Sequence, residues 1–524
     1  MSSTRVRRRS RGRAAEFLQK PRGLVHPRVQ KVGPEHFGMV TVDPAKARSK
    51  WMLCDFYGKL LIPPQWVAHN RVELEAAVAQ VRAAMQQHGL ADLLVAVERT
   101  GRYHHPVKNA FRAAGFDTRL VHPYATKQFR QPADPGIKTD DTDLAAIHRA
   151  AVNGFALVEA EAEELWRRLQ LLIRHRRSLV QKSSALSCQI RDHLEAGLPG
   201  YAACFGNLWQ TKVAFPLLRQ FGSAQSMLDA GLDGLARFLH EQGIRHQRRS
   251  LVTVLEWAKS AATADVAADM HCRIALAYED DRQRKTLEIQ GLEGESAHLL
   301  ARTPYILLLS FPGVNVVSAA DFAGEMGPIE NYANPRSITG RAGLFPSRYQ
   351  SSLVDRPDGP LVRRANRALR AAILSVADNL ILCNHHFNAM AARWRAAGKD
   401  VRHSHVKIGM RFCRIAYHMV AGRQVFRHPC LRSRSYILEK LLAFHNEHQT
   451  PMPATLEDLN HAAHQVPKKE HQAEARPLLD QLERERHRAS GPQPLSELLA
   501  IVLARLGVGR IQSEESGASD LTWP

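Results

Sequence analysis

The segment L-L-V-A-V-E-R-T-G, residues 93–101, places five apolar residues directly before an acid and a turn. Consecutive apolar positions are typical of a strand that is buried on both faces of a sheet. Residues 93–97 are therefore predicted to form a central strand of an α/β domain, and Glu98 is predicted to lie at its carboxyl end.

The neighbouring segments predict the order of the elements in this domain. Three short strands precede the central strand, and a helix that begins after the N-cap residue Asn70 separates them from it. A helix, another strand and a helix that starts at the acidic run K-T-D-D-T-D follow. The order βββαβαβα is that of a ribonuclease-H-like (RuvC-like) fold, whose mixed sheet carries acids at neighbouring strand ends. The predicted strands are residues 39–42, 51–54, 59–62, 93–97 and 118–121.

The charge of the chain points to a polyanionic partner. Among its 524 residues, 72 Lys and Arg exceed 51 Asp and Glu, which gives a net charge of +21. Such a field attracts nucleic-acid phosphates, although ribosome-associated and membrane-surface proteins are basic as well. The seven cysteines include no C-x-x-C pair, which favours a reducing compartment and argues against a zinc ribbon. Because no apolar run is long enough to span a bilayer, we expect a cytoplasmic, DNA-associated protein without a membrane partner.

The composition along the chain predicts several segments. A disordered basic arm is predicted over residues 1–36 and the α/β domain over 37–156. A helical, coiled-coil region follows at 157–303, then a mainly α-helical compact domain at 304–430 and a polar helical extension and tail at 431–524.

A leucine repeat marks the helical region. Leu165, Leu172, Leu179 and Leu186 recur every seven residues, which is typical of a coiled coil between protomers. Polar residues such as Arg176 interrupt the second seam of this pattern, so a long helix packed on its own chain is the alternative. The coiled-coil interpretation predicts a dimer built on this helix.

Four acids in the α/β domain are the candidate metal ligands. Asp43 ends the first strand, Glu98 ends the central strand, and Asp140 and Asp143 share one face of the starting helix. An acid at the end of an apolar strand is costly unless it is paired, and a divalent cation bridging the four carboxylates would pair them. Their oxygen donors predict Mg²⁺ or Mn²⁺, which suits phosphoryl transfer. A single strand-end acid is more often a turn or cap residue.

Phrases around the four acids resemble those of the DEDD-type insertion-sequence transposases, the family of bridge-RNA-guided recombinases. They are V-D-P-A-K (42–46), E-R-T-G-R-Y (98–103), H-P-Y-A-T-K-Q-F-R (122–130) and K-T-D-D-T-D-L-A (138–145).

The second compact domain resembles the same family. Residues 304–320 are similar to its helix-hairpin-helix segment, A-G-L-F-P-S-R-Y-Q-S-S (342–352) to its serine motif, and residues 361–370 to its basic helix. The first of these segments either offers backbone N–H groups to a phosphate or forms a tight turn between core helices.

The resemblance implies a bacterial recombinase of a mobile element that is guided by a structured RNA. Its four carboxylates would bind Mg²⁺, and Ser351 would attack DNA to form a transient phosphoserine link. Ser352 stands where the family usually has glycine, so Ser352 shares this role or the loop is stiffer. DNA, a guide RNA and further copies of the chain, as a dimer or a tetramer on DNA, are the expected partners. The residues expected to bind nucleic acid near the serine are Arg348, Arg363, Arg364, Arg367 and Arg370.

Two other functions stay open from the sequence. A metal-dependent nuclease such as a junction resolvase would use the same four acids without a serine nucleophile. A non-catalytic nucleic-acid-binding protein would use the acids only as caps and ion-pair partners, and it would show no Mg²⁺ dependence. A covalent protein–DNA intermediate distinguishes the recombinase from both.

Overall fold

A computed structural model describes residues 23–133, 135–159, 163–351, 354–356, 359–426 and 433–467. The chain forms two compact units, Met1–Glu161 and Ala162–Pro524. The boundaries predicted inside the second unit, at 303/304 and 430/431, stay predictions. In the described parts of the chain, no helix combines the length and the apolarity that crossing a bilayer requires.

The first unit is built on a mixed six-stranded sheet. Its strands run in the spatial order β3-β2-β1-β4-β5-β6. β1 pairs antiparallel with β2 and β2 with β3, whereas β1–β4 and β4–β5 are parallel and β6 is antiparallel to β5. The order of β1 to β5 along the chain is the predicted one, β6 was not predicted, and the arrangement is consistent with a RuvC-like fold. The strands are β1 (Phe37–Pro44), β2 (Arg48–Asp55), β3 (Leu60–Ala68), β4 (Asp92–Glu98), β5 (Asp117–Val121) and β6 (Ala156–Leu157).

Helices pack on both sides of this sheet as the sequence pattern dictates. The helices are α1 (His26–Val32), α2 (Arg71–Gln87), α3 (His105–Ala113), α4 (Pro123–Arg130) and α5 (Asp140–Val152). The Asn70 side chain accepts a hydrogen bond from the backbone N–H of Glu73, so it caps α2 as predicted. β4 is buried along its interior, as its continuous apolar sequence predicted.

The predicted disordered arm is wrong for residues 23–36. Val25 and Val29 are buried in the core of the first unit, and Arg28 binds Asp92 at 2.6 Å and Asp117 at 2.5 Å. The prediction failed because the basic composition of this stretch hid one arginine with specific acidic partners. The rest of the predicted arm, residues 1–22, lies outside the described residues.

The second unit is mainly helical. Short 3-10 turns and one two-stranded hairpin connect its helices. Its elements are α6 (Glu164–Gly197), α7 (Ala214–Phe221), α8 (Ala224–Glu241), α9 (Arg248–Lys259), α10 (Ala268–Ala301), α11 (Val316–Met326), α12 (Pro335–Ala342), β7 (Tyr349–Ser351), β8 (Val354–Arg356), α13 (Arg367–Cys383), α14 (His385–Ala396), α15 (Val401–Ala421), α16 (Ser433–Glu447) and α17 (Met452–Gln465).

The leucine repeat lies on α6, which pairs with α10 of the same chain. Arg176 binds Glu293 near the end of α10, whereas His193 lies 2.8 Å from His271 near its start, so the two helices run antiparallel. Leu179 is buried within the single chain. The described structure thus corresponds to the alternative of a helix packed on its own chain, with Leu165 and Leu172 partly buried.

The segment similar to a helix-hairpin-helix lies in the core of the second unit. Its first part is the 3-10 helix Pro304–Ser310, and after a turn at Gly313, where φ is 95°, α11 begins. The Lys440 ammonium donates hydrogen bonds to the carbonyls of Leu309 and Val314 at 2.9 and 2.8 Å. Because residues 305–311 and Val314 are buried in this core, the structure favours the alternative of a tight turn between core elements.

The region predicted as a polar extension contributes to the same core. Ile437 and Leu441 on α16 and Leu459 on α17 are fully buried. The periodic apolar residues of this segment were not recognised in the sequence, because many histidines and charged residues lie between them. Residues 468–524 of the predicted extension lie outside the described residues.

Candidate carboxylate and serine sites

Two parallel strands bring the first two acids to the same edge of the sheet. Val42 of β1 and Val97 of β4 are register partners, so Asp43 and Glu98, one residue further on, leave the two strands side by side. Both acids are partly buried. The Thr100 hydroxyl donates a hydrogen bond of 2.8 Å to Glu98 and orients its carboxylate.

The start of α5 supplies the other two acids. Thr139 caps this helix by accepting a hydrogen bond from the N–H of Thr142. The cap places Asp140 and Asp143 in the first helical turn, where a carboxylate is favoured by the helix dipole. Asp143 is buried, and Asp140 is exposed.

The pKa of Asp43 is shifted by its surroundings. Burial, together with the charges of Glu98, Asp143 and Asp140, raises this pKa from 3.8 to about 7, while Lys138 opposes the rise. Like charges this close disfavour ionisation. The sequence-predicted acids are therefore brought together at one edge of the sheet.

Two cations already neutralise part of this acidic cluster. Arg130, the last residue of α4, forms an ion pair with Asp143. Lys50, the cross-strand partner of Asp43 on β2, lies 2.7 Å from Asp141. The role of Arg130 could not be predicted from the motif H-P-Y-A-T-K-Q-F-R, because a partner on another helix leaves no signature in the spacing of one segment.

The donor set fits a hard divalent cation. All four candidates are carboxylates, which Mg²⁺ and Mn²⁺ prefer. The uncompensated repulsion at Asp43 is what a cation would relieve. Among the described residues, no three His, Cys, Asp or Glu side chains are arranged to hold a metal ion as they stand.

The serine of the second unit lies on an exposed hairpin. Ser351 ends β7 and pairs with Val354 of β8, and its side chain is exposed. Ser347, at the base of this hairpin, donates its hydroxyl proton to the carbonyl oxygen of Pro360 at 3.0 Å. Ser352, the predicted alternative, lies outside the described residues.

The predicted basic helix starts later than the sequence indicated. Residues 361–366 form irregular structure, and α13 begins only at Arg367, after the cap residue Asn366. The change has a local cause: the Asn366 side chain accepts a hydrogen bond from the N–H of Leu369 and so ends the loop.

The five arginines expected to bind nucleic acid differ in their availability. Arg348 binds Asp355 with two hydrogen bonds of 3.0 and 2.7 Å, and Arg370 donates to the carbonyls of Ala342 and Val362. Both guanidinium groups thus already hold the loop together. The exposed arginines of the set are Arg363, Arg364 and Arg367.

A buried acid that the sequence did not single out supports the hairpin. The Glu325 side chain is fully buried and accepts hydrogen bonds from Arg174 at 2.8 Å and from Asn366 at 3.2 Å. Burial alone would raise the pKa of Glu325, but the hydrogen bonds from Arg174 and Asn366 outweigh it and lower the pKa. Since Asn366 also caps α13, this contact fixes the end of the loop that carries Ser351.

Comparisons with known families match two segments of the chain, and the first extends beyond the first unit through α6. Residues 40–199, which include the four acids, match the DEDD transposase model of IS110 elements. Residues 305–395, which include Ser351, match the model described as transposase IS116/IS110/IS902 family. No curated protein matches the chain. The chain therefore carries IS110-family transposase domains, which indicate a DNA-modifying enzyme of the transposase type.

Proposed function

We propose that this protein is the transposase of a mobile element that cuts and rejoins DNA through a transient phosphoserine link. Asp43, Glu98, Asp140 and Asp143 would form its Mg²⁺ or Mn²⁺ site, and Ser351 would be the nucleophile. The observation that carries the proposal is the convergence of the other three acids on Asp43, whose pKa is raised to about 7, inside the part of the chain that matches a DEDD transposase.

The serine step is a transesterification that needs no external energy source. The Ser351 oxygen forms a bond to the phosphorus, the bond from phosphorus to the deoxyribose oxygen breaks, and the serine proton ends on that leaving oxygen. Attack by the hydroxyl of another strand reverses the step, which joins the new strands and frees Ser351. Bond types are conserved throughout, so the enzyme has only to position the groups and stabilise charge.

The residues of the chain would divide this work. A bound Mg²⁺ would lower the charge on the reacting phosphate and activate the attacking oxygen. The four carboxylates would hold the cation, and exposed Arg363 and Arg367 would bind DNA phosphates beside the hairpin. Arg348 and Arg370 would stabilise the conformation of the hairpin and its loop, and their contacts with DNA would be secondary to this role.

The proposal includes the partners, the oligomeric state and the cellular location of the protein. The net charge of +21 and the family resemblance support binding of DNA and of a structured guide RNA. A homo-oligomer, as a dimer or a tetramer on DNA, and a bacterial cytoplasmic location follow from the resemblance. A coiled-coil contact through α6 would have to add to, rather than replace, its packing on α10.

Trapping on a nicked suicide DNA substrate tests the nucleophile. The wild type should become covalently attached to DNA in Mg²⁺, and Ser351→Ala should not. Ser347→Ala is the matched control, because its hydroxyl is engaged with a backbone carbonyl in the same loop, and it should still form the adduct. Asp140→Asn should neither cut nor attach. Cutting by the wild type without attachment would identify a nuclease of the junction-resolvase kind instead.

A further inference from the structure

One carboxylate of the proposed metal site already has a cationic partner. We propose that Arg130 is an internal competitor of the divalent cation: it holds Asp143 in the metal-free protein and releases it when the cation binds. The inference rests on the proposed function in assuming that the four carboxylates take a divalent cation. It assigns to Arg130 the role of a positioning residue that sets the affinity of the site.

The position of Arg130 supports direct competition. Its side chain is 11% exposed and that of Asp143 is 9% exposed, so water screens their attraction only weakly. α4 packs on α5, which brings the last residue of one helix against the first turn of the other. A guanidinium does not lose its proton near neutral pH, so the pair can be broken only by movement.

The surrounding charges explain why the site needs such a partner. Burial and the charges of Glu98, Asp143 and Asp140 raise the pKa of Asp43, so these three acids disfavour an ionised Asp43 when no cation is bound. Arg130 offsets one of these charges in the folded protein. A cation that takes Asp143 as a ligand must displace Arg130, and the fraction of protein with Asp143 free limits the apparent affinity.

Lys50 provides a matched comparison within the same site. It is also a mostly buried cation beside the cluster, but its partner is Asp141, whose side chain is 59% exposed and which is not one of the four acids. Removing Lys50 therefore changes the local charge by the same amount as removing Arg130, without freeing a proposed ligand.

Binding of Mn²⁺, followed by electron paramagnetic resonance and calorimetry on the full chain, tests this role without an activity measurement. Arg130→Gln should tighten Mn²⁺ binding by about tenfold or more, and Lys50→Gln by less than about threefold. In an Asp143→Asn background, Arg130→Gln should leave the affinity unchanged. In EDTA, Arg130→Gln should also lower the melting temperature, and saturating Mn²⁺ should remove that difference.

The outcomes separate the two proposals. If neither the wild type nor Arg130→Gln binds Mn²⁺, the metal site itself is refuted. If the wild type binds and Arg130→Gln binds equally tightly, the site stands and the competition is refuted. An equal gain from Lys50→Gln, or a gain that persists in the Asp143→Asn background, would reduce the effect to general electrostatics and refute the role of Arg130.

Discussion

Replacing Asp43 by Asn should stabilise the metal-free protein at high pH and not at low pH. The folded-state pKa of about 7 lies above the ordinary 3.8, so the folded state holds a proton that the unfolded state has lost between these values. The stabilisation that this proton contributes is therefore fully present below pH 4, decreases as the pH rises towards 7 and is lost above it. The amide of Asn cannot ionise, so the variant escapes this loss.

The size of the effect follows from the same two pKa values. Their difference corresponds to roughly 4 kcal/mol at about 1.4 kcal/mol per pH unit. Because the Asp43 carboxyl is partly exposed, solvent screening reduces this to about 2 kcal/mol. We thus expect Asp43→Asn to be more stable than the wild type by about 2 kcal/mol at pH 8 and about equal to it at pH 4.

Hydrogen exchange of peptides from β1 and β2 in a urea series, in EDTA, measures the stability of the first unit alone. Asp141→Asn is the control, since Asp141 is an exposed acid next to the cluster and pairs with Lys50. It should show no gain at pH 8. If the stability of Asp43→Asn changes with pH in the same way as that of the wild type, the raised pKa and the convergence of the acids on Asp43 are both refuted.

Three further substitutions should each loosen the structure, in contrast to Asp43→Asn. Asp143→Asn should destabilise the metal-free first unit by about 2 kcal/mol, because it leaves the guanidinium of Arg130 buried without its partner; a gain in the same urea series would contradict the ion pair. Glu325→Gln should make the serine hairpin more susceptible to limited proteolysis, because Asn366 loses a charged hydrogen-bond acceptor. The Mn²⁺ affinity should stay unchanged. A proteolysis rate equal to that of the wild type would exclude the role of Glu325 in holding the hairpin. Arg28→Gln should speed hydrogen exchange of α1 by about tenfold, since two ion pairs are lost, and exchange at the wild-type rate would mean that α1 is held by its apolar contacts alone.

The sheet of the first unit was predictable because its signals are local. Residues 93–97 are apolar without interruption, and Asn70 precedes an amphipathic run, so strand and helix follow from short windows. The acids could be placed as well, since Asp43 and Glu98 end strands that the topology makes neighbours. Side-chain partners over long separations, such as Arg130 with Asp143 or Arg28 with Asp92, could not be read from any window.

The second unit shows where sequence periodicity stops being informative. The heptad pattern of α6 predicts a long helix with one apolar seam, but the same seam serves a second protomer or another helix of the same chain equally well. What decides between them is the distant helix α10, whose Glu293 and His271 meet α6 at opposite ends. The leucines alone do not indicate which helix is the partner of α6.

Three of the four acids are tolerated without metal by different means, and this has a consequence for metal binding. Asp140 is exposed to water, Asp143 has Arg130, and Asp43 keeps a proton up to a pKa of about 7. A cation that binds all of them must therefore expel both a proton and a guanidinium. Proton release makes the affinity depend on pH, whereas release of Arg130 does not.

Mn²⁺ affinity should consequently rise by about tenfold per pH unit below pH 7 and level off above it, because one proton leaves Asp43 for each cation bound. Arg130→Gln should shift this whole profile to tighter binding without changing its slope. Glu98→Gln should move its bend to lower pH, since it removes a charge that raises the pKa of Asp43. A titration in which the slope is flat between pH 5 and 7 would show that Asp43 is already ionised when the cation arrives. The proton would then be absent from the site, and repulsion among the acids would have to be relieved by Arg130 and Lys50 alone.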